Sequence, residues 1–216
     1  MPRNRPSLLL LRLSILVLVL LPELANAEDD KGWYINGGAG LSRTDVSSSF
    51  WSDSSITDSS METDGPGYQL GLGYQLHRHF ALELDYLRAA ETEFRGTSDG
   101  TLTLWTEGEV RGITRTNGFA LTAVGYWNPG DKWRLQLYAK GGVYLWDTLA
   151  QYSQTINAIT RFHDDGATPI GGIGGQFRLG KGWELRAEGL YSTVRIGHRE
   201  TAGVGFATLG ILYWLQ

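Results

Sequence analysis

The sequence predicts an all-β fold: an eight-stranded antiparallel up-and-down transmembrane β-barrel over residues 28–216. Three observations carry this. Long segments alternate with period two between an apolar face and a face of Gly and polar residues. Short Gly/Pro turns take turns with long connectors, the last one excepted. Aromatic residues cluster where the strands end.

The chain has 216 residues with 29 Gly, 25 aromatics and no Cys. None of the Gly or aromatics falls in residues 1–27. That segment carries Arg3 and Arg5, an apolar run from Leu8 to Leu21 broken by Arg12, and Ala25-Asn26-Ala27. A positive start, an apolar middle and small residues at the cut are the layout of a secretory signal peptide, with cleavage expected after Ala27. The remaining 189 residues are about 15% Gly, twice the usual share. Gly costs about 1 kcal/mol per helix position relative to Ala, which argues against a helical bundle. The absence of Cys excludes a disulfide scaffold, a thiol enzyme and a Cys-based metal site. Without the signal the chain carries 16 basic and 22 acidic residues, a net charge of −6, so nucleic acid is not an expected partner.

Strands are predicted near 32–43, 66–76, 80–91, 116–127, 132–146, 169–179, 183–195 and 203–215. From Gly67 to Leu76, Tyr68, Leu70, Leu72, Tyr74 and Leu76 share one face, and Gly67, Gln69, Gly71, Gly73 and Gln75 the other. Lys132 to Trp146 alternates for 15 residues, beyond the roughly 9–11 that a tilted spanning strand needs. Tight turns fall at His77-Arg78-His79, Asn128-Pro129-Gly130-Asp131 and Gly180-Lys181-Gly182. The connectors after strands one, three and five each exceed 20 residues. Residues 101–105 and 110–114 are read as a hairpin above the membrane. Asp45 to Gly65, with eight Ser, four Asp, one Glu and no Lys or Arg, reads as a solvated acidic loop.

Period two alone does not say which face is inside. A soluble surface would carry many Lys, and the chain after the signal has four. The polar face is therefore assigned to the lumen and the apolar face to lipid. Trp33, Tyr74, Phe80, Trp127, Trp133, Phe177, Trp183 and Trp214 are expected to form the girdle at the turn end. At eight strands the lumen is just wide enough for side chains to fill. Glu83, Asp85, Glu184 and Glu188 are assigned there against Arg134, Lys140, Arg178 and Arg186, giving a neutral, salt-bridged polar core.

The stretches KGWYINGGAGLS, GYQLGLGYQLHRHFALELDYLR, LQLYAKGGVYLW and GGIGGQFRLGKGWELRAEGLY resemble the transmembrane domain of the outer-membrane protein A family. The resemblance implies a cell outer membrane location in a Gram-negative envelope. It also implies a lumen network in which Glu83, Lys140, Arg186 and Glu188 occupy the family positions. That family also has a periplasmic peptidoglycan-binding domain, for which this chain leaves no room after the eighth strand. Thr208, Gly210, Leu212 and Trp214 resemble the final-strand signal read by the insertion machinery, with Leu215 and Gln216 displacing the terminal aromatic.

A structural or surface-interaction role is the expected function, with outer-membrane lipid and lipopolysaccharide as surroundings and no surface ligand specified. A narrow channel is the first alternative and a lipid A-modifying enzyme the second. No catalytic residue, metal ligand or cofactor is assigned. His77 and His79 fall in a turn, and His163 and His198 in loops. Gly171 to Gly175 is followed by the alternating Gln176-Phe177-Arg178-Leu179, not by the helix a phosphate-binding loop requires.

Overall fold

The computed structural model describes residues 32–52, 54–101, 105–127, 134–154, 159–196 and 200–215. The signal segment, the turn at 128–131, Trp133 and His198 lie outside these residues.

Ten strands appear in chain order: β1 (Gly32–Asp45), β2 (Ile56–Glu62), β3 (Asp64–His77), β4 (Phe80–Arg88), β5 (Thr92–Ser98), β6 (Gly108–Trp127), β7 (Leu135–Gln154), β8 (Ile159–Gly180), β9 (Trp183–Ile196) and β10 (Glu200–Trp214). Eight of them close a ring in the order β6-β4-β3-β1-β10-β9-β8-β7, and β7 returns to β6. All ring pairings are antiparallel. Closure pairs the backbone all the way round, which hydrocarbon demands of any sheet that crosses it. The register of β10, which its doubly apolar sequence leaves open, is fixed by β1: Tyr34 pairs with Trp214 and Asp45 with Gly203.

The barrel is inside out. Leu41, Tyr68, Leu70, Leu72, Leu82, Leu121, Ile173, Leu185 and Leu209 are exposed on the outer wall, while Asn36, Gln69, Glu83, Asp85, Lys140 and Arg186 are buried. This reverses a soluble core and matches a wall solvated by lipid. The turn between β8 and β9 needs Gly at both ends, since Gly180 (φ 109°), Lys181 (φ 53°) and Gly182 (φ 80°) are all left-handed.

Three expectations change at the long-loop end. The hairpin partner of Gly108–Thr114 is Thr92–Ser98, not residues 101–105. The connector after strand five is largely strand, because β7 and β8 pair from Leu135↔Phe177 up to Ser153↔Ile159. The acidic first loop contains β2, paired with β5, and a buried Trp51. The physical reason is shared. These segments alternate too, but their outward residues meet water, so they are polar on one face and short on apolar contrast. Together β2, β5 and the upper parts of β6, β7 and β8 make a wall rising above the shorter β9, β10 and β1. Strands of 20 to 22 residues run for roughly 66–73 Å at about 3.3 Å per residue, far more than a tilted crossing of the bilayer uses.

Pro169 marks where the wall separates. It lies inside β8, paired with Val143, and not at a strand start. Its carbonyl faces β9, accepting the Ser192 hydroxyl at 2.8 Å, and the β8–β9 ladder begins only at Ile170. The missing N–H therefore falls on an edge with no ladder to lose.

Candidate functional site: the lumen

The inward side chains form three layers. In the middle lies a charged cluster of Glu83 and Asp85 on β4, Lys140 on β7, and Arg186 and Glu188 on β9, each no more than 7% exposed. Lys140 Nζ reaches three carboxylates: Glu83 at 3.1 Å, Asp85 at 3.0 Å and Glu188 at 3.0 Å. Arg186 clamps Glu83 with two bonds, Nη1 to Oε1 at 2.7 Å and Nη2 to Oε2 at 3.1 Å. It also lies 3.4 Å from Glu188 and stacks its guanidinium 4.5 Å over the Tyr138 ring. Such bidentate, charge-assisted bonds are the strong class, and at low dielectric each charge needs them.

Neutral groups complete the shell. Tyr34 donates to Glu83 at 2.7 Å, and Tyr138 donates to Glu188 at 2.9 Å. Asn36 and Gln69 donate to Asp85 at 3.2 and 3.3 Å. Charge alone does not single out these four residues, but their parity does: Tyr34 and Asn36 share the inward face of β1 with Gly38 and Gly40. Space for them comes from Gly. A Cβ on Gly73 would stand 2.1 Å from the Tyr34 ring, and one on Gly174 would stand 2.3 Å from Tyr138.

Two assigned cations are not in this cluster. Arg134 is exposed at the turn end, where its backbone carbonyl accepts from Arg178 N. The Arg178 side chain is 70% exposed and reaches Glu184 at 3.4 Å. Both have inward parity but sit beyond the floor of the lumen, where a side chain meets water. The core is therefore three acids against two bases, not a neutral set of eight. Glu184 is buried one step away, accepting from Trp214 Nε1 at 3.2 Å.

That bond also moves Trp214. It points inward and packs with Tyr34, Tyr126, Tyr138 and Leu212 as an aromatic floor, while Tyr213 faces out against Trp183. Phe80, Trp127, Phe177 and Trp183 are exposed on the outer wall at the turn end. Trp33 covers Tyr74 there, ring to ring at 4.8 Å. Trp133 lies outside the described residues.

Above the charged layer the lumen is mostly apolar, with Thr116, Thr148, Asp164 and Ser192 buried among the apolar side chains; the polar-core expectation did not include this layer. Tyr144, Trp146, Ile170, Leu190, Val204 and Phe206 belong to one buried cluster that continues up to Trp51, Phe94 and Trp105.

Of the two loop histidines, only His163 is described. It faces outward on β8 and contacts Asp147 of β7. Its outward neighbours on these strands are Leu149, Gln151, Arg161 and Asp165. Ser153, the outward hydroxyl of upper β7, is four residues beyond Leu149, about 13 Å along the strand.

Residues 13–212 match the family profile described as outer membrane protein beta-barrel domain. The chain is 26% identical over 201 residues to Outer membrane protein A of Yersinia pseudotuberculosis serotype I, covering 87% of this chain and 49% of that protein. It thus spans about half the length of that curated relative. Among solved structures it is similar to Neisserial surface protein A, with a TM-score of 0.55 at 12% identity over 85% of this chain and 97% of that one. It is also similar to Ail of Yersinia pestis in complex with the heparin analogue sucrose octasulfate, with a TM-score of 0.52 at 16% identity over 86% and 99%.

Proposed function

Because this chain belongs to the outer membrane protein β-barrel family and resides in the cell outer membrane, we propose that it is a closed-lumen scaffold. Its task is to present the raised wall and loops at the cell surface. The observation that supports this is the filling of the lumen: a mostly apolar layer, a charged layer and an aromatic floor follow one another along the axis. A conducting pore needs a wetted path, and an ion-selective one is commonly lined by carbonyls or by charge of one sign. Here opposite charges are locked together.

The same reading takes residues 1–27 as a signal removed after Ala27, outer-membrane lipid and lipopolysaccharide as the surroundings of the apolar wall, and the insertion machinery as a transient partner. A non-catalytic role is supported by the surroundings of His163, where Asp147 supplies an orienting acid but, among the described residues, neither strand brings a nucleophile beside the ring. Sulfated glycans are the first surface ligands to offer, since the Ail structure carries an analogue of one.

The test is conductance. Purified barrel reconstituted in planar bilayers is expected to give no stable single-channel current. Steady, open-channel current from the unaltered chain would overturn the scaffold reading in favour of a channel.

A further inference from the structure

The described residues of the connection from β1 to β2, 46–52 and 54–55, lie across the long-loop mouth of the barrel. It is tied at one end where Ser47 N donates to Glu200 Oε1 at 2.6 Å, on β10. At the other end Ser55 O accepts from Asp99 N at 3.0 Å, and the Ser55 and Ser98 hydroxyls meet at 3.3 Å, at the end of β5. Between these ties Trp51 turns into the mouth and is 2% exposed. Its ring lies on Gly112 of β6, where an added Cβ would stand 2.8 Å from it, and stacks on Phe94 of β5 with centroids 6.3 Å apart.

The surface beneath Trp51 is not a finished core. Thr92 and Thr114 pair across β5 and β6, one step inward from Phe94 and Gly112. Both hydroxyls are buried without a hydrogen-bond partner among the described residues, as are Trp51 Nε1, Trp146 Nε1 and Tyr144 OH. Beneath the strap, Trp51 Nε1 and the hydroxyls of Thr92 and Thr114 are thus held out of water with no partner among the described residues, and such groups favour a state in which water returns. Trp51 is held by apolar contacts, stacked on Phe94 and edge-on to Phe50 at 4.8 Å, and the strap by short polar ties at its two ends.

From this geometry we infer that the β1–β2 connection is a releasable strap. Trp51 is its plug, and release admits water and small solutes to the Thr92–Thr114 shelf while the charged layer stays shut. The inference rests on the closed-lumen reading above and adds a moving part to it.

The chain has no Cys, so Thr114→Cys supplies a single thiol beneath the plug and Thr122→Cys a single thiol deep in the lumen. The probe is methanethiosulfonate ethylammonium, applied to each barrel refolded in detergent micelles, with labelling read by mass. Trp51→Ala is expected to speed labelling at Thr114→Cys at least tenfold and to leave Thr122→Cys unchanged. Gly112→Ala, which unseats the ring from the wall side, is expected to act in the same direction, and Glu200→Gln to give a smaller gain by loosening the clasp. Equal rates at Thr114→Cys with and without Trp51 overturn the strap. So does acceleration at both thiols, which marks general loosening. Neither result bears on bilayer conductance of the unaltered chain, so the scaffold reading stands or falls separately.

Discussion

Arg186 and Glu83 join opposite sides of the barrel: β9 and β4 are four strands apart whichever way the ring is followed, yet the two side chains meet at 2.7 and 3.1 Å. They are 103 positions apart in the chain. A tie across the full diameter resists ovalisation of the ring as well as filling it. The Tyr34 hydroxyl and Lys140 Nζ also bond Glu83, so three groups orient one carboxylate.

Breaking that tie from one side is expected to cost more than removing it whole. Arg186→Ala leaves Glu83 with Lys140 as its remaining cation, a loss of about 3–5 kcal/mol for a partner removed from a buried pair. Glu83→Leu combined with Arg186→Leu deletes both charges and retains bulk, and is expected to recover at least half of that loss. Urea unfolding midpoints in micelles, read by heat-modifiable gel migration, measure both. A double variant no more stable than Arg186→Ala would remove the cross-barrel tie as the source of the effect.

The same cluster shows what period two reveals. Glu83, Asp85, Lys140, Arg186 and Glu188 can be placed inside from alternation, because a one-residue shift would put them in lipid. Arg134 and Arg178 share that parity and sit in water, and Trp214 shares it and closes the floor instead of joining the girdle. Parity gives the side of the wall but not the height along it. Height depends on strand tilt and on where the ring closes, both set by long-range pairing. The raised wall escapes for a related reason. Thr92, Phe94 and Gly96 alternate with Glu93, Arg95 and Thr97, but above the bilayer the outward face is polar, so the apolar contrast that marks a spanning strand is missing.

Height can be measured by charge. Phe119 and Trp127 are the exposed outward aromatics of β6, and Ala123 lies midway between them on the same face. Ala123→Arg is expected to cost about 2–4 kcal/mol, the range for Arg at the midplane of a barrel wall. Gln151→Arg, on the outward face of β7 above the belt, is expected to stay near zero. Folding free energies in lipid vesicles give the comparison. Equal costs at the two positions would mean that the belt does not lie between Phe119 and Trp127.

The end of β5 offers a titration. Asp99 accepts from the Thr101 hydroxyl at 2.7 Å and from Thr101 N at 2.9 Å, the local bonding of an Asx turn. These bonds hold its carboxyl below the usual aspartate value, the hydroxyl bond first and the backbone bond second. A depressed folded-state value means that the ionised form stabilises the turn above the unfolded value, and that this contribution is lost as pH falls through the folded one. Thr101→Val removes the hydroxyl bond and leaves the backbone bond, so Asp99 is expected to titrate at a higher pH in the variant, part of the way back to the ordinary value. Carboxyl carbon shifts followed by NMR between pH 2 and 6, roughly two units either side of the ordinary Asp value of about 3.9, give both midpoints. The side group is fully exposed, so the difference reads local geometry and not global stability. An unchanged midpoint in Thr101→Val would assign the whole depression to the backbone N–H.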